Sequence, residues 1–259
     1  MLHILLTAVV GLVVGTMVGL TGVGGGALLV PILVLFMHVP PIVAVGTGAF
    51  FVAITKMGAA WSYHRQGFVE MRLVRRMALG SVPGAMLGVG LLAVLRAHLG
   101  NQVNEVLKMM MGILLIATPA MALSKDYLER KGKKSLRDRL PAYITAAHGA
   151  VMVGFTGGCL VGMTSMGSGS IIMTLLLLFY SRPVPTLVGT DIAHAVILGL
   201  VAGAGHLLLR TADFRLLAAL LLGSIPGAWF AAHMATTVHT AWLRGLLFTA
   251  LVAAGLSML

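Results

Sequence analysis

Charge is what this sequence has least of. Only 10% of its 259 residues are Asp, Glu, Lys or Arg, while 59% are hydrophobic. A soluble domain carries about 25% charged residues, so this chain cannot cover a water-facing surface of ordinary size. Acidic residues are scarcest, seven against 18 basic ones, too few for paired acid–base catalysis. Cysteine occurs once, at Cys159, which excludes an internal disulfide and any multi-cysteine metal site. A small apolar packing residue is the better reading of it than a reactive thiol. There is no His-Glu-x-x-His metal motif, no Gly-x-Ser-x-Gly elbow and no glycine loop ending in Gly-Lys-Ser/Thr. Ser168 with His194 is a weak match to an intramembrane protease pair. No cofactor is implied. Met1-Leu2-His3 lacks a basic region and a cleavage site, so the first apolar stretch is expected to be a membrane helix and not a removable signal.

Successive apolar stretches of about 20 residues, separated by short polar gaps, predict a bundle of membrane-spanning helices. An outer-membrane barrel would alternate apolar and polar residues instead. The formal charge of +11 does not point to nucleic acid, because the basic residues flank apolar segments. Seven of the 18 Lys and Arg lie between Lys125 and Arg139, and Arg65, Arg72, Arg75 and Arg76 form a second cluster. Both are what retention of basic loops in the cytoplasm produces.

The chain also repeats itself at an offset of 143 residues. Gly19, Thr21, Gly24 and Gly26 return as Gly162, Thr164, Gly167 and Gly169, and Pro40, Val45, Gly46 and Thr47 as Pro183, Val188, Gly189 and Thr190. Gly80-Ser81 and Pro83-Gly84-Ala85 return as Gly223-Ser224 and Pro226-Gly227-Ala228. The expected organisation is a first membrane repeat over 1–123, a basic cytoplasmic linker over 124–140 and a second repeat over 141–259. Two halves with hydrophobic segments interrupted at matching positions point to a transporter whose site lies between them.

Each half divides into five apolar pieces: about 2–20, 27–37, 43–63, 73–95 and 106–123, then about 143–163, 170–180, 185–209, 214–232 and 240–258. The second piece of each half has about 11 residues, roughly half the hydrocarbon thickness at 1.5 Å per residue. It forms either one arm of a hairpin dipping into the membrane or part of a single broken helix. The hairpin makes the two repeats inverted and the broken helix makes them parallel. The loop equivalent to Arg65–Arg76, around Arg210, Asp213 and Arg215, is less basic, which favours inversion.

The candidate substrate site is built on the two glycine clusters. Thr21, Gly24, Gly25 and Gly26 lie in the first; Thr164, Ser165, Gly167, Ser168, Gly169 and Ser170 lie in the second. Each glycine costs a helix about 1 kcal/mol against alanine, so a cluster predicts unwound backbone. Unwound backbone survives in a membrane only where protein or a wet cavity satisfies it. The amides opening the following half-helix then suit an anion. Close helix packing through small residues is the alternative use of such clusters. Thr47 and Thr190, symmetric near the start of the third pieces, offer further hydroxyls, or simply bond their own helices. Lys56 and Asp191 are charges inside apolar segments, and each is expected to face a cavity or a partner. His194 shares a helix face with Asp191. The three suit either a coupling, gating or proton-relay role or a structural ion pair that locks the halves together. His148 and His206 read as packing or interfacial residues, and the 17 Met as gap fillers.

These motifs resemble the TauE/SafE family of sulfite and organosulfur anion exporters. The resemblance rests on Val18-Gly19-Leu20-Thr21-Gly22-Val23-Gly24-Gly25-Gly26, Leu29-Val30-Pro31, Val45-Gly46-Thr47, Gly80–Ala85 and the degraded second copies. In the second copy Thr174 replaces Pro31 and Gly167-Ser168-Gly169 replaces the triple glycine, so the halves are chemically unequal. The resemblance implies a multi-pass carrier of the bacterial inner membrane that exports sulfite or an organosulfonate. The residues alone imply a small anionic substrate, the lipid bilayer, and protons as a candidate coupling ion. A homodimer is compatible with the sequence. An anion channel and a non-transport subunit or scaffold remain the rival readings.

Overall fold

The computed structural model of the chain describes residues 2–21, 25–130, 147–169, 171–180, 182–234 and 240–259. Among these residues the regular structure is entirely helical. The helices are α1 (Leu2–Thr21), α2 (Gly25–Leu35), α3 (Pro41–Arg65), α4 (Met71–Leu99) and α5 (Val103–Arg130), then α6 (Ala147–Thr164), α7 (Ile171–Phe179), α8 (Val184–Leu208), α9 (Phe214–Met234) and α10 (Thr240–Met258). They fall within a few residues of the ten apolar pieces. The fifth is longer than expected: α5 runs to Arg130, into the stretch expected to be linker, and 131–146 lie outside the described residues.

Local sequence sets the boundaries in matching ways. Pro40 and Pro183 stand before α3 and α8 with φ −53° and −52°, the geometry that opens a helix without wasting an amide. Gly67 (φ 76°) closes α3 and Arg210 (φ 54°) closes α8, each turning the chain left-handed. Gly67 N–H donates to His64 O and Phe68 N–H to Tyr63 O; at the other end Arg210 N–H donates to Leu207 O and Thr211 N–H to His206 O. These are the paired bonds of a Schellman cap.

Packing exchanges partners between the two halves: α1 lies along α9, α4 along α6, α3 along α8 and α5 against α10. The contacts match at the offset of 143. Gly11 abuts the Leu220 carbonyl and Gly154 that of Met77; Gly15 abuts Ser224 and Gly158 abuts Ser81. In both pairs contacts advance four residues on each helix together, so α1 and α9 run parallel, as do α4 and α6. A side chain at any of these glycines would enter a neighbouring backbone, which is the small-residue packing of membrane bundles. In the α3–α8 pair Gly46 meets Thr211, Phe50 meets Gly203 and Tyr63 meets Gly189, so these two helices are antiparallel.

α3 and α8 form the centre, with 61% of their apolar windows buried against 39% for Met71–Ala120. These three stretches are long and apolar enough to cross a membrane, among the described residues. Leu5, Leu79, Met152, Leu222 and Trp229 lie exposed on the outer helices. So much apolar surface facing outward fits hydrocarbon and not water. The protein is an all-helical, multi-pass membrane protein.

Candidate functional site

The second glycine cluster is a backbone break and meets the start of α2 in the interior, while residues 22–24 of the first cluster lie outside the described residues. α6 ends at Thr164, whose hydroxyl donates to Leu160 O (2.7 Å) and accepts from Met166 N–H (3.2 Å). Ser165 then turns left-handed (φ 57°), followed by Gly167 (φ 103°) and Gly169 (φ 94°). A side chain in that region costs roughly 1–2 kcal/mol, so glycine is the expected occupant of position 165 as it is at 167 and 169. In the first half α2 begins at Gly25, and every residue from Gly25 to Pro31 is buried. The Ser165 carbonyl presses against Gly26, and a Cβ at Gly48 would lie 3.3 Å from Ser165 Oγ and 3.0 Å from Val30 Cγ2. The second break is thus seated on the first turn of α2 and on α3.

A second group lies beside the same segment. The backbone N–H of Gly169 donates to the Asp191 carboxylate, and Lys56 from α3 acts electrostatically on both Asp191 and His194. His194 Nε2 is 2.8 Å from Ser81 Oγ on α4. All four side chains are buried, with Lys56 4% and Asp191 3% exposed. Among the described residues, Lys56 Nζ, Asp191 Oδ1, His194 Nδ1 and Ser165 Oγ have no hydrogen-bonding partner. Buried polar groups are nearly always satisfied, and these four exceptions lie on α3, on α8 and in the second break.

The other expected residues sit differently. Thr47 and Thr190 are wholly buried but engaged: Thr47 Oγ1 accepts from Asp213 N–H, and Thr190 Oγ1 accepts from Glu70 N–H, both at 3.0 Å. Thr190 also donates to Thr186 O. Each threonine thus holds the loop that closes the opposite central helix, and each directly precedes a residue set against the second break, Gly48 or Asp191. Ser168 is buried in the second break. Thr21 ends α1, and Gly24 and Ser170 lie outside the described residues. Among the described residues no group of three or more His, Cys, Asp or Glu is placed to hold a metal.

Sequence reasoning missed three features. Ser81 was legible only as part of a repeated motif, and nothing in the chain announces its bond to His194. Glu70 and Arg182 form a two-pronged ion pair (2.9 and 3.2 Å) between the α3–α4 and α7–α8 loops, 112 residues apart. The bond to Glu70 raises the Arg182 guanidinium above its ordinary value. His206, expected only to pack, holds Gly162 O through Nε2 and Thr211 Oγ1 through Nδ1, each at 2.9 Å.

Comparison with known proteins agrees with this architecture. The family model for the sulfite exporter TauE/SafE matches residues 7–258. A "probable membrane transporter protein" of Bacillus subtilis, YjnA, is 34% identical over 249 residues, covering 96% of this chain and 97% of its own. Two others from that organism, YdhB and YunE, are 24% identical (98% and 100% covered) and 25% identical (89% and 86% covered). No solved structure matches the chain. A glycine-broken helical bundle, matched by this family over almost its whole length, belongs to the TauE/SafE sulfite exporter family of membrane transporters.

Proposed function

We propose that this protein is a secondary transporter that exports a small anion, sulfite or an organosulfonate, across the bacterial inner membrane. The observation that carries the reading is the seating of the second backbone break on the start of α2, beside buried polar atoms that lack partners among the described residues. A half-helix opening inside a membrane supplies unsatisfied amides and a partial positive charge, which suit an anion without requiring a basic side chain. The sulfur chemistry comes from the family, whose name is sulfite exporter.

Helix directions support an inverted repeat. α8 runs parallel to α4, since Thr190 meets Glu70 and His194 meets Ser81; α4 in turn is parallel to α6. α6 and α8 therefore point the same way, and the short α7 between them must bring the chain back. That is the hairpin arrangement, in which each half crosses an odd number of times. The antiparallel α3–α8 pair then lies across a pseudo-two-fold axis in the membrane plane, and one repeat rocking against the other alternates access. The Glu70–Arg182 pair bridges the rim on the basic, cytoplasmic side. Lys56, Asp191 and His194 form the coupling group. Expulsion of an anion from a cell negative inside is favoured by about 2.3 kcal/mol per charge per 100 mV, so the potential alone can drive it.

The test is flux through purified protein in proteoliposomes, with sulfite, sulfoacetate, thiosulfate, sulfate and chloride compared. Saturable flux with counterflow of one sulfur anion is expected. Flux without saturation would mean a channel, and none across the panel would reject the sulfur assignment.

A further inference from the structure

Where α6 unwinds into the second break, one carbonyl loses its helical donor. The Ser165 amide still bonds Val161 O, but the next amide, Met166, turns to Thr164 Oγ1. Gly162 O, which Met166 would satisfy if the helix continued, is met by His206 Nε2 at 2.9 Å instead. His206 is wholly buried near the end of α8, 44 residues away. A carbonyl only accepts, so Nε2 carries the proton in this bond. On the other side of the ring, Nδ1 lies 2.9 Å from Thr211 Oγ1. Thr211 closes α8, its N–H and its hydroxyl both bonding His206 O. It also packs on Gly46, beside the Thr47 that accepts Asp213 N–H. An unbroken chain of contacts therefore runs from the break, through the His206 ring, to the loop after α8 and the N-terminal part of α3.

The first half keeps the packing and changes the side chains. At the offset of 143, His206 corresponds to Tyr63, Thr211 to Phe68 and Gly162 to Gly19. Gly189 lies against the Phe68 carbonyl as Gly46 lies against that of Thr211. Tyr63 and Phe68, however, meet edge to face with ring centroids 6.4 Å apart, where the second half has a hydrogen bond. We infer that His206 is the positioning residue of the second break. Its Nε2–H takes the place of the missing helical donor at Gly162 O, and its Nδ1 ties the break to the loop that closes α8. The break then cannot be rebuilt without that loop, so movement at this rim and rearrangement of the break occur together. The inference concerns how the break is held and is independent of which anion is carried; it rests on the transporter reading only for the use of that movement.

The experiment is amide hydrogen exchange of the detergent-purified full chain, read by mass spectrometry over three segments. These are 162–170 at the break, 209–213 in the loop, and 60–68 at the equivalent end of α3 as a control. Melting temperatures certify that each variant is folded. His206→Leu removes both bonds and should speed exchange over 162–170 and 209–213 by about ten-fold or more, with 60–68 unchanged. His206→Gln restores an N–H close to the place of Nε2 and should return 162–170 to within about three-fold of the wild type. Thr211→Val keeps the shape, removes the hydroxyl, and should speed exchange over 162–170 by about three-fold. Unchanged exchange over 162–170 in His206→Leu would overturn the inference, as would an equal rise in all three segments or a Gln variant that rescues nothing. A Thr211→Val variant that loosens 209–213 alone would overturn the tie between loop and break. Should His206→Leu fail to fold, Thr211→Val decides: faster exchange over 162–170 with 60–68 unchanged supports the tie, and no change there overturns it.

Discussion

The two breaks share an ancestry in sequence and differ in content. The first is all glycine from Gly24 to Gly26 in sequence, with α2 beginning at Gly25 and Gly48 standing at the position that matches Asp191. The second keeps Ser165 and Ser168, makes three left-handed turns before α7, and faces Asp191 with Lys56 close by. Away from the breaks the halves repeat each other to the level of single hydrogen bonds, as Thr47 with Asp213 and Thr190 with Glu70 demonstrate. The scaffold is therefore symmetric and the chemistry is not. Symmetry suits a machine that must present the same site to both sides of a membrane. The departures are buried charges without a copy: Asp191 is matched by Gly48, and Lys56 by Gly199.

The largest effect should come from removing one member of the charged pair. Asp191→Leu leaves Lys56 buried without its carboxylate and should cost about 3–5 kcal/mol, read as thermal unfolding of solubilised protein. Lys56→Met combined with Asp191→Leu should recover most of that loss, and a double-mutant cycle would report their coupling. Next come the packing glycines, where the halves should behave alike. Gly80→Ala and Gly223→Ala each drive a Cβ into a carbonyl, of Val151 and Ala8, and should cost about 1–3 kcal/mol apiece. Unequal losses would mean that the scaffold is less symmetric than its contacts. Ser165→Gly should make the second break resemble the first, raising stability by about 1 kcal/mol while reducing sulfite flux in proteoliposomes. A stabilised variant with unchanged flux would remove Ser165 from the site. Smallest is Glu70→Gln, which breaks an exposed ion pair: the melting temperature should stay within error, and counterflow should quicken by about two- to three-fold as the rim opens more readily.

Much of this architecture was legible in the sequence because hydrophobic length, glycine clustering and proline position are local signals. The short second helices, the second break and the equivalence of Gly80-Ser81 with Gly223-Ser224 all follow from them. The isolated charges Lys56 and Asp191 were legible for the same reason, since hydrocarbon makes any charge conspicuous. Which residues face each other was not. Ser81 and His194 are 113 residues apart, and no periodicity predicts their bond. Thr47 and Thr190 make the same point: their symmetry is plain in the sequence, but the bond of each hydroxyl to the loop closing the opposite helix is not. A repeat reveals which positions are equivalent, and only packing reveals which equivalents meet.

The most direct test is to locate the bound anion. Selenite has the pyramidal shape and charge of sulfite and scatters anomalously at the selenium edge, so crystals grown with it would report its position without ambiguity. Selenium in the interior beside the second break, within reach of Ser165 Oγ, is the expected result. Selenium only on the outer surface, or none bound in the interior, would contradict a substrate site where the second break meets α2 and α3.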